Sequence, residues 1–281
     1  MAKYNSNWSQ KKYRKFINEG RGQGENESYK PWLTINDFPS LGRVTRIKGW
    51  KTNRIHHFFS DLQTRYFYIL DWLSEVRDIR EHFPLLDIEE IISDKNGLNF
   101  DAFKDKETGF PYVICTTFFI TVNTKDDGIK YLARYIKTSS ELEKKLVQDN
   151  MEIQRRYWKG KGIDWGVVTN KDIPIIKAKN VEWIHSSLNL QDRGLSIEDE
   201  KEIGSLLKEL LKDNIVPLRK NFILFDKNYG LEMGTALAVF KYLIASRQII
   251  VDMNKKIDLN IPANQVIDFI SDSKILKEVS M

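Results

Sequence analysis

The sequence predicts an α/β protein in two parts: a mixed sheet with helices against it through about residue 169, then a helical, winged-helix-like module over 170–281. Three observations predict this. Segments with helix and strand periodicity alternate between residues 60 and 169, the order expected of a mixed α/β sheet. Beyond Asn170 the alternation stops and amphipathic helices take over. The chain has 281 residues, enough for one large or two modest cores, and two is the better expectation.

The first 57 residues form a basic arm. Lys3, Lys11, Lys12, Arg14, Lys15, Arg21, Lys30, Arg43, Arg46, Lys48, Lys51 and Arg54 face only Glu19, Glu25, Glu27 and Asp37, although the whole chain has a net charge of just +5. Cations concentrated in one segment displace counterions from phosphates together, so the partner expected is a polyanion; a solvated tail is the plainer alternative. Gly20-Arg21-Gly22-Gln23-Gly24 is too rich in glycine for a helix or strand. It reads as a loop offering backbone amides to phosphate, or equally as a linker. Trp8, Tyr13, Tyr29 and Trp32 interleave with the cations, and packing of the arm onto its own domain is the better expectation than stacking on bases.

Ser60-Asp61-Leu62-Gln63 has the form of a capping box, opening a helix to about Val76 on a face of Leu62, Tyr66, Phe67, Ile69, Leu70 and Leu73. Residues 78–86 predict a short strand stopped by Pro84, and 87–109 a polar excursion. Residues 113–122 and 129–137 are strands joined by Lys125-Asp126-Asp127-Gly128, a hairpin signal. A three-residue loop with Gly128 left-handed pairs Lys125 with Ile129 and sets Thr117 opposite Lys137, placing Thr117, Tyr135 and Lys137 on one face. Thr138-Ser139-Ser140-Glu141 opens a helix to about Trp158, and 163–169 is a further strand. In the second part, 195–212 and about 231–246 are helices. A hairpin of 249–251 with 257–259 supplies the wing, a module that binds DNA or protein.

Several functions are excluded or left without support. No run approaches the roughly 20 apolar residues of a membrane span, and no apolar signal core follows Met1, so the cytoplasm is the expected location, with the nucleoid when DNA is bound. One cysteine, Cys115, in an apolar run, excludes an internal disulfide and a thiolate zinc cage. No Gly-x-x-x-x-Gly-Lys loop supports ATP use. His56 and His57 are adjacent on an extended segment and point to opposite sides, so together they suit a basic DNA-facing surface better than a metal. Arg155 and Arg156 suit either phosphate contact or a packed helix end.

Glu19-Gly20-Arg21-Gly22-Gln23-Gly24, Pro31-Trp32-Leu33-Thr34, His56-His57 with Ser60-Asp61-Leu62, Asp78-Ile79-Arg80-Glu81 with Phe83-Pro84-Leu85-Leu86, and Arg155-Arg156-Tyr157-Trp158 occur in this order at nearly constant spacing. Together they resemble the TnsA family, the endonuclease subunits of heteromeric cut-and-paste DNA transposons. The resemblance covers about residues 1–185 and continues more faintly beyond. It implies a restriction-endonuclease-like N-terminal domain over 1–169 and a winged-helix-like C-terminal domain over 170–281. It also implies magnesium-assisted cutting of the 5′ strands at transposon ends, beside an integrase-like transposase and an AAA+ ATPase regulator.

The family motif places a Glu early in the first helix, an Asp on the first hairpin strand, a Gln-x-Lys on the second and a Glu on the following helix. Those positions fall at Gln63, Thr117, Tyr135 with Lys137, and Gln154. Only Lys137 keeps the family's type. Neutral amides and hydroxyls bring no charge to an ion that dehydrates reluctantly, so neither magnesium nor another cofactor is expected. The implied role is that of a DNA-binding scaffold with cleavage lost, working beside an intact paralogue of the subunit. Two alternatives remain. One is an active magnesium endonuclease with displaced ligands drawn from Asp61, Asp71, Asp78 or Glu81; the other is a winged-helix regulator using residues 195–262. The expected DNA contacts are Arg21, Arg43, Arg46, Lys51, Arg54, His56, His57, Arg155 and Arg156.

Overall fold

A computed structural model describes residues 8–37, 43–126, 128–212 and 214–268 of the chain, which divides into two units, 1–173 and 174–281. Lys3 of the basic arm and Asp127 of the hairpin turn lie outside the described residues. None of the described helices is long and apolar enough to cross a membrane.

In the first unit, α1 (Gln10–Asn18) begins where the Ser9 hydroxyl accepts from the Lys12 amide. Its buried Phe16 meets Trp8 and Trp32 at ring-centroid distances of 5.4 and 5.3 Å, and the Trp8 indole donates to the Pro111 carbonyl. The aromatic residues of the arm are thus core. Four of the five amides of the glycine loop are not open to phosphate. Those of Gly20, Arg21, Gly22 and Gln23 donate to carbonyls of Ile17, Phe16, Lys30 and Gly20, because Gly22, at φ +79°, lies directly on the Pro84 ring.

Strands β1 (Thr45–Lys48) and β2 (Ile55–Phe58) form an antiparallel hairpin. Helix α2 (Asp61–Trp72) starts with Ser60 accepting from the Gln63 amide, but the Gln63 side chain accepts from Phe59, one residue before the cap, not from Ser60. The helix stops short of Val76 because Leu73 turns extended to lead into β3 (Val76–Pro84). The polar excursion carries a short helix, α3 (Ile88–Ile91), and a turn whose Phe100 and Phe103 cover the core. Strands β4 (Cys115–Asn123) and β5 (Ile129–Ile136) follow, and α4 (Lys145–Gly160) crosses over to β6 (Asp164–Val168). The sheet order is β3-β4-β5-β6, antiparallel except for the parallel β5–β6 pair that this crossover permits.

The hairpin register corrects the sequence reading. Asn123 pairs with Ile129 and Phe118 with Arg134, and Gly128 is not left-handed. Relative to the expected pairing the strand slides by two residues, which brings Thr117 level with Tyr135. Because side chains alternate with period two, a slide of two keeps every residue on its expected face. Strand β4 is buried on both sides: Phe118 packs between Phe58 and Tyr66, while Phe119 stacks on Trp158 of α4 at 5.1 Å. Thr138 and Glu141 do cap one another, yet α4 proper begins only at Lys145 after a tight turn.

The second unit contains α5 (Ile175–His185), α6 (Ile197–Lys212), α7 (Leu218–Asn228) and α8 (Thr235–Ala245). Helix α8 is its apolar centre, with Val239, Phe240 and Leu243 fully buried. The sequence reading names neither α5 nor α7. The expected wing hairpin does not form as read: β7 (Ile250–Val251) pairs with β8 (Ile267–Asp268). Residues 257–261 serve α7 instead, with the carbonyls of Leu259 and Ile261 accepting from the free amides of Arg219 and Leu218 at its first turn.

Candidate functional site

The sheet opens at Thr117. On the β3 side the ladder passes from Glu81↔Phe118 to Phe83↔Thr116 and skips His82, which adopts a left-handed φ of 49°. On the β5 side the Thr117 hydroxyl accepts from the Ile136 amide at 3.0 Å, substituting for a backbone bond. A cavity of about 560 Å³ lies beside this opening. Gln63 reaches it from the start of α2, Thr117 from β4, Tyr135 and Lys137 from the end of β5, and Asn150 from α4.

Gln154 does not line the cavity. It is fully buried one turn behind Asn150, with its carbonyl oxygen on the Thr116 hydroxyl at 2.9 Å and its amide donating to Asn150 Oδ1 at 2.5 Å. The Lys137 ammonium lies 3.2 Å from Glu141, whose carboxylate also accepts from Thr138 and is held below its usual pKa by these partners, against the effect of burial. Burial pushes the Tyr135 phenol up, so it stays protonated. His82 also lines the cavity; its Nε2–H donates to the His57 carbonyl, and burial pushes its pKa down to about 4. The Cys115 thiol at the wall is likewise pushed up by burial and is no ready nucleophile.

The acids near this region are committed elsewhere. Glu81 is fully buried and held well below its usual pKa despite the penalty of burial, because His56 and the forked guanidinium of Arg54 surround it. Asp71 accepts from the amides of Trp50 and Lys51; Asp78 lies 3.1 Å from Arg80; and Asp61 is half-exposed near Arg43. Asp37 lines the cavity but is taken by Arg21 at 2.7 Å and by the amide and hydroxyl of Thr34.

The basic residues separate into two sets. Arg54 and His56 are buried on Glu81, and Arg21 is clamped by Glu19, Asp37 and the Trp32 carbonyl. Burial on Glu81 takes Arg54 and His56 off the surface where they were expected to meet DNA, because a buried carboxylate needs buried partners, while Arg21 is held by its own ion pairs. His57 is half-buried, with Nδ1 enclosed and no hydrogen-bond partner. Arg43 and Arg46 are exposed, Lys51 is half-exposed, and Arg155 and Arg156 grip Glu152, with Arg156 also pinning the carbonyls of Asp94 and Asn96.

The polar groups at the cavity are therefore amides, hydroxyls, one neutral imidazole, the ammoniums of Lys12 and Lys137, and one carboxylate, Asp37, already held by Arg21 and Thr34. Among the described residues no three His, Cys, Asp or Glu side chains are grouped to hold a metal. Magnesium asks for anionic oxygens, and this donor set does not fit it. Sequence reasoning missed Asn150 and His82. Helical spacing from Gln154 would have found Asn150, whereas His82 carried no signal, because its left-handed backbone is what turns it into the cavity.

A family model described as "TnsA-like endonuclease N terminal" matches residues 73–170, and one described as "TnsA endonuclease C terminal" matches residues 172–253. The protein described as "Transposon Tn7 transposition protein TnsA" from Escherichia coli is 35% identical over 248 residues, covering 88% of this chain and 87% of that protein. The mixed sheet of the first unit fits such an N-terminal domain, and similarity of this extent runs through both units: the chain belongs to the TnsA family.

Proposed function

We propose that the chain is a TnsA-like subunit of a DNA transposition complex that engages transposon-end DNA and its partner proteins but has lost 5′-strand cleavage. One observation carries this reading. The positions Gln63, Thr117, Tyr135 and Lys137 converge on a single cavity as a family nuclease site would, yet the cavity offers no uncommitted carboxylate. On this reading residues 1–169 are a restriction-endonuclease-like domain and 170–281 a winged-helix-like one. DNA is met by Arg43, Arg46, Lys51 and Arg155, and the partners are an integrase-like transposase, an AAA+ regulator and an intact paralogue supplying the missing cut.

The test is calorimetric titration of magnesium and manganese into the native protein and into Gln63→Glu/Thr117→Asp/Gln154→Glu. Because Gln154 sits behind Asn150, a second triple variant carries Asn150→Glu in place of the change at 154. Metal binding by a restored variant alone supports a vacated nuclease centre. Comparable binding by the native protein returns the active-enzyme reading, which Asp37 favours as the carboxylate at the cavity wall; Asp37→Asn would then abolish that binding.

A further inference from the structure

Two hydrogen-bond chains fix which cavity atoms donate and which accept. The Trp158 indole can only donate, so Thr116 Oγ1 accepts from it at 2.7 Å and sends its own hydrogen to Gln154 Oε1. Gln154 Nε2 then donates to Asn150 Oδ1, leaving Asn150 Nδ2 as a donor with no partner among the described residues. Gln63 Oε1 accepts from the Phe59 amide at 2.9 Å, which leaves its Nε2 free in the same way. His82 Nε2–H is spent on the His57 carbonyl, so Nδ1 presents a lone pair. That side chain is 5% exposed, lines the cavity, and its Nδ1 has no partner among the described residues.

The result is a site with two amide donors and one imidazole acceptor, lined as well by the ammoniums of Lys12 and Lys137 and the carboxylate of Asp37. The Phe59 ring lies 4.5 Å from His82, and Trp8 and Trp32 also line the cavity. A backbone strained at His82 is the kind of cost that persists where a side chain is needed in a set place. The one carboxylate on the wall, Asp37, is neutralised by Arg21 at 2.7 Å, so a DNA strand would meet little repulsion here. At about 560 Å³ the volume lies within the range of sites that enclose a small planar ligand.

We propose that this cavity takes one unpaired nucleobase of a DNA strand, its N–H edge donating to His82 Nδ1 and its carbonyl oxygen accepting from the Gln63 or Asn150 amide. The inference rests on the DNA role proposed above and names the ligand of the vacated site. A base must carry a donor beside a carbonyl, so thymine and guanine fit, whereas cytosine sets an acceptor nitrogen between its amine and its carbonyl and adenine lacks the carbonyl. Stacking on the aromatic wall supplies the part common to all bases.

The experiment is fluorescence anisotropy of the full chain at low salt with four labelled DNAs: a blunt duplex, and the same duplex with a short thymine, adenine or abasic overhang. The thymine overhang is expected to tighten binding about tenfold over the blunt duplex, the abasic overhang to lose that gain, and adenine to keep only part of it. His82→Phe, which keeps a ring in the wall, should still bind the thymine and adenine overhangs more tightly than the blunt duplex and lose the preference for thymine. Equal affinity for thymine and abasic overhangs overturns the nucleobase site while leaving the DNA role intact. No binding of any of the four DNAs overturns both.

Discussion

At the scale of single residues, the physics of the first unit centres on Glu81. A carboxylate with no solvent exposure persists because Arg54 gives it two bonds, at 2.9 and 2.5 Å, and His56 a third at 2.8 Å. Glu81→Gln leaves the buried Arg54 guanidinium facing a neutral amide, and chemical denaturation should show a loss of about 3–5 kcal/mol. Its lowered pKa means that this stabilisation is present above the unfolded carboxylate value of 4.5 and fades as pH falls below it. His82 adds a separate window. Its pKa drops from 6.5 to about 4 through burial, so the unfolded chain takes up a proton that the folded chain refuses. Stability should therefore fall as pH is lowered from 6.5 toward 4, by about 3 kcal/mol over the window. His82→Phe should flatten that part of a stability–pH profile; an unchanged slope would mean His82 is not the group responsible.

Among the elements, packing depends on a few close approaches that no periodicity reveals. A Cβ on Gly22 would sit 2.3 Å from Pro84 Cγ, at a φ of +79°. Gly22→Ala should cost at least about 2 kcal/mol and loosen the loop from the end of β3, read as a lowered denaturation midpoint. In the second unit, α8 begins at a left-handed Gly234 with no side chain of its own to cap it. Asp226, buried on α7, accepts from the Gly234 and Ala236 amides at 2.7 and 2.8 Å in its place. Asp226→Ala should destabilise the unit by about 1–2 kcal/mol, detectable by far-UV circular dichroism melting. Helix α7 matters because it carries this cap, yet its residues Leu218–Asn228 mix basic and apolar types too evenly to stand out as a helix in the sequence.

For the whole molecule, a net charge of +5 understates the basic arm, and burial then reduces what the arm can offer to DNA. Exposed Arg43 and Arg46 should each carry about 0.9 of the slope of log affinity against log salt for duplex DNA, so the double alanine variant should lower that slope by nearly two. Arg54→Ala, by contrast, should lower stability, because its guanidinium is spent on Glu81 and the Ile79 carbonyl. An Arg54→Ala protein of native stability with a reduced salt slope would contradict this division.

The sequence by itself determined the alternation of helix and strand, the cap at Ser60, the face shared by Thr117, Tyr135 and Lys137, and the family. These depend on local spacing, and period two makes a strand's face immune to the two-residue slide the hairpin actually shows. Tertiary structure alone decided the rest. Whether Arg54 and His56 meet DNA or Glu81, whether Asn150 or Gln154 reaches the cavity, and whether 257–261 pairs with β7 or feeds α7 are choices among partners distant in sequence. Each is settled by which buried polar group would otherwise go unsatisfied, and that demand exists only once the core has closed around it.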